Sequence, residues 1–180
     1  MLLTRRKFLK LGLMLTGAGM LPAPVLARAR LAQAERMLAF YNTHTGETLR
    51  TVYWAQGRYH AEALREVNHI LRDHRTNEII PIEPQLLDLL HALHDSLGSQ
   101  RPFEIISGYR SPASNGMLAA GSDGVAKGSL HMLGKAVDIR LPGRALHDLR
   151  QAAVALRVGG VGYYPQLNFV HLDTGPVRYW

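Results

Sequence analysis

Phe169-Val170-His171-Leu172-Asp173 alternates as a half-buried β-strand does: Val170 and Leu172 share one face, while Phe169, His171 and Asp173 share the other. Lys135-Ala136-Val137-Asp138-Ile139-Arg140-Leu141 has the same character, with Val137 and Ile139 on one side and Ala136, Asp138 and Arg140 on the other. Two such strands could bring Asp138 beside His171. A carboxylate flanked by apolar strand residues needs a partner, because burying it unpaired is very costly. Ser129-Leu130-His131 precedes a turn at Gly134, so His131 arrives at the same place from the preceding loop.

Working outward, Arg36–Tyr41 and Thr48–Trp54 alternate around Asn42-Thr43-His44-Thr45-Gly46-Glu47 and read as a hairpin. Leu64, Val67 and Leu71 recur at helical spacing, as do Leu86, Leu90, Leu93 and Leu97. Pro84 suits the first turn of the second helix and Gly98 suits its stop. Phe103–Ser107 reads as a short buried strand, and Leu146, Leu149, Ala153 and Leu156 mark a further helix. The stretch 112–129, rich in Gly, Ser and Ala, reads as a long loop with a helical turn. Without regular βαβ alternation, the pattern predicts an α+β fold: a small antiparallel sheet with helices packed on it.

Residues 1–27 read as an export signal. Thr4-Arg5-Arg6-Lys7-Phe8-Leu9-Lys10 is a twin-arginine pattern, followed by an apolar run from Leu11 to Leu21 and a small-residue segment suited to cleavage after Ala27 or Ala29. That run falls short of the roughly 20 residues needed to span a bilayer, and no membrane span is expected in the mature chain. The signal places the protein in the periplasm, with the twin-arginine machinery as its partner during export. Residues 28–180 read as a single domain. The formal net charge of +7 includes Arg5, Arg6, Lys7 and Lys10, which leaves +3 for residues 28–180. Such a balance is no nucleic-acid signature, and it suits an acidic polymer such as the cell wall. The chain has no cysteine, so any metal must be held by histidine and carboxylate.

Two imidazoles and one carboxylate leave the fourth position of tetrahedral zinc open for water, which is the catalytic arrangement. Spacing alone leaves another reading open: a surface histidine, a salt-bridged aspartate and a capping histidine.

Ser107-Gly108-Tyr109-Arg110-Ser111-Pro112, then Ser129-x-His131 with Asp138 downstream, then a last strand carrying His171, resembles the D-alanyl-D-alanine carboxypeptidase/endopeptidase family of zinc peptidases. Asn42-x-His44-Thr45-Gly46-Glu47, Gly160-Val161-Gly162-Tyr163-Tyr164-Pro165 and Phe169–Gly175 resemble its twin-arginine-exported murein endopeptidase branch. The resemblance covers nearly all of residues 36–180. It implies zinc bound by His131, Asp138 and His171, with peptidoglycan as substrate. Arg110 would stabilise charge on the scissile carbonyl, its alternative being a structural ion pair. Ser129 would position substrate, or else bond only to backbone. Family members often carry a catalytic Glu three residues before the last His, or a His two before it. Here those positions hold Asn168 and Phe169. Asp173 is then the nearest titratable group to act as general base, or else it orients a ligand. Tyr163, Tyr164 and Trp180 could line a peptide groove, their alternative being a place in the core. The expected activity is endopeptidase cleavage of D-amino-acid-containing crosslinks. A D,D-carboxypeptidase trimming terminal D-Ala and a non-catalytic wall-binding module are the rivals.

The remaining polar groups read as scaffold. His91 and His94, with Asp88 and Asp95, lie on the leucine-striped helix and read as its solvated face, and Glu66-x-x-His69 reads likewise. His44 belongs to the hairpin turn, and His60, His74 and His147 have no chemical neighbours in the sequence.

Overall fold

The computed structural model describes residues 35–121, 126 and 128–180. Residues 1–27, expected to be an export signal, lie outside the described residues. Eight strands, β1 Arg36–Asn42, β2 Thr48–Ala55, β3 Arg58–Tyr59, β4 Phe103–Ser107, β5 Ala136–Arg140, β6 Gly160–Tyr164, β7 Phe169–Asp173 and β8 Arg178–Tyr179, form one sheet in the order β3-β2-β1-β4-β5-β7-β6-β8. Among the described residues the helices are α1 Ala61–Ile70, α2 Pro84–Leu97, α3 Pro112–Gly121 and α4 Leu146–Leu156.

The sheet is larger than the small antiparallel one expected, and it is mixed. β1 runs parallel to β4, and β6 runs parallel to β8. The N-terminal hairpin joins β5, β7 and β6 through β4, and the two-residue strands β3 and β8 complete the two edges. Short edge strands offer little unpaired backbone to a second sheet.

Alternation along each strand assigns the faces. Ile105, Val137, Ile139, Val161, Val170 and Leu172 are buried in one core with Leu86, Leu90 and Leu93 of α2 and Leu149 and Ala153 of α4. α2 packs on β1 and α4, and α4 packs on β6 and β7. α2 and α4 thus cover one face at the sheet's centre and leave Asp138 and His171 on the other.

Two sequence expectations are corrected here. Pro112–Gly121 is a regular helix. Pro112 opens it, where its missing N–H costs nothing, and Ala and Met sustain it despite the glycines. His94 is not on a solvated face: it is 7% exposed, and its ring stacks on Phe103 with centroids 4.0 Å apart. α2 buries Leu87 and Leu89 as well as Leu86, Leu90 and Leu93 of its leucine stripe, so its apolar surface is wider than that stripe shows. Asp88 is a hub rather than a solvated acid, accepting from Arg36, Tyr53 and Tyr59.

Candidate metal centre and cleft

β5 and β7 pair antiparallel with Asp138 directly opposite His171. His131 comes from the one-turn 3₁₀ helix Leu130–Leu133 just before β5. Ser129 caps that turn, its Oγ accepting from the His131 N–H at 3.3 Å. Gly134 closes it in the left-handed region, with φ 66°. A side chain at Gly134 would also strike the Pro81 carbonyl. The turn is therefore fixed at both ends, and so is the imidazole it carries.

The outer ring nitrogens determine what the inner ones present. His131 Nδ1 lies 2.7 Å from the Gly108 carbonyl, which can only accept, so Nδ1 carries the proton. His171 Nε2 lies 3.0 Å from Asp173 Oδ2, so Nε2 carries the proton there. In the neutral rings, the lone pairs of His131 Nε2 and His171 Nδ1 then face inward. They lie 3.2 Å apart, and Asp138 Oδ1 lies 3.2 Å from the first and 2.9 Å from the second. Three acceptors meeting this closely repel one another unless a cation or a proton sits among them. Zinc bonds of about 2.0–2.2 Å would set tetrahedral donors roughly 3.3–3.6 Å apart. A contraction of a few tenths of an ångström separates the observed triangle from that figure, and the donor set fits zinc.

The electrostatics agree. Burial would raise the Asp138 pKa, but the two histidines overcome it and hold the carboxyl well below its usual range. Burial would lower that of His171, yet its hydrogen bonds to Asp138 and Asp173 raise it to about 9. The three groups thus favour a positive charge among them. Asp173 is likewise held low against its own burial, by His171, the Gly175 and Gly160 amides and Arg178.

The triangle lies in a cleft of about 410 Å³ lined also by Arg110, Ser129, Tyr164, Phe169, Arg178 and Trp180. Arg110 Nη2 lies 3.5 Å from Asp138 Oδ2 and 3.4 Å from Ser107 Oγ, and the Arg110 Nε is buried with no partner among the described residues. Burial pushes its pKa down and Asp138 opposes this, and a guanidinium stays charged through such a shift. Asp173 is outside the cleft lining and fully enclosed. Its Oδ1 accepts from the Gly160 and Gly175 amides and from Arg178, and its Oδ2 from Arg178 and His171.

Tyr163 is corrected: the alternation of β6 sends it to the helix-covered face, where Arg150 sits over its ring at 5.5 Å, while Tyr164 faces the cleft. Asn168 is exposed in the turn between β6 and β7 with φ 54°, a conformation that asparagine tolerates and glutamate does not favour. Sequence reasoning missed Leu167 and Arg178 as cleft residues. The signal for Arg178 was an unexplained arginine five residues after Asp173.

Among the described residues no helix is long and apolar enough to cross a membrane. No solved structure matches the chain. Curated relatives do. The chain is 46% identical over 176 residues to the peptidoglycan L,D-endopeptidase MepK of Escherichia coli strain K12, covering 98% of this chain and 96% of that protein. The protein of the same name from Shigella flexneri matches equally. The probable peptidoglycan L,D-endopeptidase MepK of Haemophilus influenzae is 40% identical over 177 residues, covering 98% of this chain and 95% of its own. The family described as peptidoglycan L,D-endopeptidase MepK matches residues 30–180, and on these grounds the chain belongs to that peptidase M15 family.

Proposed function

We propose that the protein is a zinc-dependent murein endopeptidase that hydrolyses peptide crosslinks of peptidoglycan at a bond between L- and D-configured centres. The observation that carries this reading is the convergence of three acceptor atoms, His131 Nε2, Asp138 Oδ1 and His171 Nδ1, on the wall of an open cleft. The names of the relatives support the substrate and the L,D bond type.

Zinc, when bound, supplies Lewis acidity for an attacking water and for the scissile carbonyl. The chain's own groups do the rest. Arg110 offers a fixed positive charge to the oxygen of the scissile carbonyl as negative charge develops on it. The Gly108 carbonyl and Asp173 hold the two imidazoles in the tautomers that turn a lone pair inward. Asp173 acts as this positioning group rather than as general base, because its five accepted hydrogen bonds leave it no access to a water in the cleft. Ser129 fixes the His131 turn from the cleft wall.

A carboxypeptidase would need a free cation for the terminal carboxylate of its substrate. Arg178 reaches the cleft, but both its Nη atoms are engaged by Asp173, at 3.1 and 2.7 Å. Among the described residues Arg178 is thus no free cation for a terminal carboxylate, which supports cleavage within a crosslink. The test is digestion of purified crosslinked muropeptides with mass analysis of the products, alongside the zinc content of the protein. Dimers split at an L,D bond by zinc-loaded protein are the expected result; release of terminal D-Ala alone, or binding without cleavage, would overturn it.

We place this activity in the periplasm, reached through the twin-arginine signal in residues 1–27, with residues 28–180 as the peptidase domain. Changing Arg5 and Arg6 to Lys should then strand precursor in the cytoplasm, and normal export of that variant would refute the route.

A further inference from the structure

Trp180 lies across the cleft-facing side of β6, and a missing side chain makes room for it. A Cβ on Gly162 would come within 2.7–2.8 Å of the indole, so only glycine allows the ring to rest there. The ring and its backbone are held by neighbours on β6 and β8. Its Nε1 donates to the Tyr164 hydroxyl at 2.8 Å, the Arg178 guanidinium sits 5.1 Å from its centre, and its backbone pairs with Val161 and Tyr163. Its centroid is 5.4 Å from that of His171, and Trp180 as a whole remains 46% exposed. A large aromatic surface left in water beside the metal-binding triangle is costly to the fold. Its fixed geometry means that little conformational entropy would be lost when something packs on it.

Resting on the endopeptidase reading, we propose that the Trp180 indole is a binding platform for the peptide arm of the crosslink adjoining the scissile bond. The scissile amide must come to the metal triangle, so what lies one ring's width away from His171 is the flanking peptide and not the glycan strand. The alkyl stem and amide plane of such an arm present the flat, weakly polar surface that an indole face accepts. Tyr164, itself stacked on Phe169 with centroids 4.6 Å apart, continues the platform away from the metal.

The protein has two tryptophans, so Trp54→Phe leaves Trp180 as the sole indole reporter. Holoenzyme carrying this change is titrated with a sugar-free crosslinked peptide whose scissile amide is replaced by an uncleavable ketomethylene. A saturable change in indole emission is expected. Kinetics on the cleavable peptide should show Trp180→Ala raising KM about tenfold with kcat within about threefold, the mark of lost binding shared by ground and transition states. Zinc content should be unchanged, and Trp180→Phe should recover most of the KM. An unaltered KM in Trp180→Ala, an emission response that requires the disaccharide, or loss of zinc together with kcat would overturn the platform. Cleavage by the parent protein with no emission change would refute the platform and leave the endopeptidase reading standing. Saturable emission change without cleavage would do the reverse.

Discussion

Asp173 accepts from the Nε2 of His171 at 3.0 Å, on the ring nitrogen opposite the one that faces the metal triangle, and is itself fully enclosed. The carboxylate thereby fixes which way the imidazole turns its lone pair. Asp173→Asn replaces an acceptor with an amide that cannot serve His171 and Arg178 equally. Zinc affinity should weaken about 10–100-fold, the usual effect of losing such a supporting group, while turnover per bound zinc stays close to the parent's. A fall in turnover of about 10²–10⁴-fold with zinc still bound would instead make Asp173 a proton acceptor. Asn168→Glu should not rescue the variant, because the turn holds that residue at φ 54° and a glutamate there costs roughly 1–2 kcal/mol.

His131→Ala, Asp138→Ala and His171→Ala should each lose zinc and activity together, measured by metal content and muropeptide cleavage. Zinc uptake should also release a proton. His171 in the metal-free protein has its pKa raised from 6.5 to about 9, so a proton must leave Nδ1 before metal can bind at neutral pH. Zinc affinity should rise about tenfold per pH unit from neutrality until that pKa is passed. The stability of the metal-free protein should run the other way. The raised pKa contributes stability fully below pH 6.5, and that stability is lost as pH rises through about 9. Calorimetry in two buffers of different ionisation enthalpy counts the proton.

Arg110→Ala should lower kcat about 10²–10³-fold, the scale of removing one charge-stabilising donor, with little change in zinc content. Arg110→Lys should recover only part of this. A lysine keeps the charge but lacks the planar fork, which here spans Asp138, Ser107 and Asn115. Equal activity in Arg110→Ala and the parent would remove Arg110 from the chemistry.

His74 stacks on His44 with ring centroids 3.8 Å apart and planes 7° from parallel. Burial, His44 and Arg75 lower its pKa from 6.5 to about 4 against the pull of Asp73. The unfolded chain therefore binds more protons between those values, and the stability that neutral His74 supplies is lost as pH falls from 6.5 through about 4. Urea midpoints for the parent should drop over that window, and His74→Gln should flatten the decline.

The period of two in β5 and β7 made the donors readable, because each strand has only one way to point its apolar residues at a core. Asp138 and His171 follow from that choice. In β6, Tyr163 and Tyr164 are neighbours of the same chemistry, and a reading by residue type groups two side chains that alternation sends to opposite faces. His94 was misplaced for a related reason. The stripe of Leu86, Leu90, Leu93 and Leu97 locates one buried face of α2, but nothing local shows that the helix is enclosed by both the sheet and α4. The support of Asp173 by Arg178 and two backbone amides is tertiary, and only the folded chain displays it.

The parallel pairing of β1 with β4 bears on how the protein reaches this state. Thr43 bonds Ile105 across 62 residues, whereas Asp138 and His171 meet across 33. Parallel, distant pairings delay folding because the chain must close a long loop before any contact offsets it. The C-terminal strands can therefore assemble first, and the N-terminal hairpin docks onto an edge that they have already built. In that order β4 is briefly an open edge, and neighbouring chains could add to it before β1 arrives.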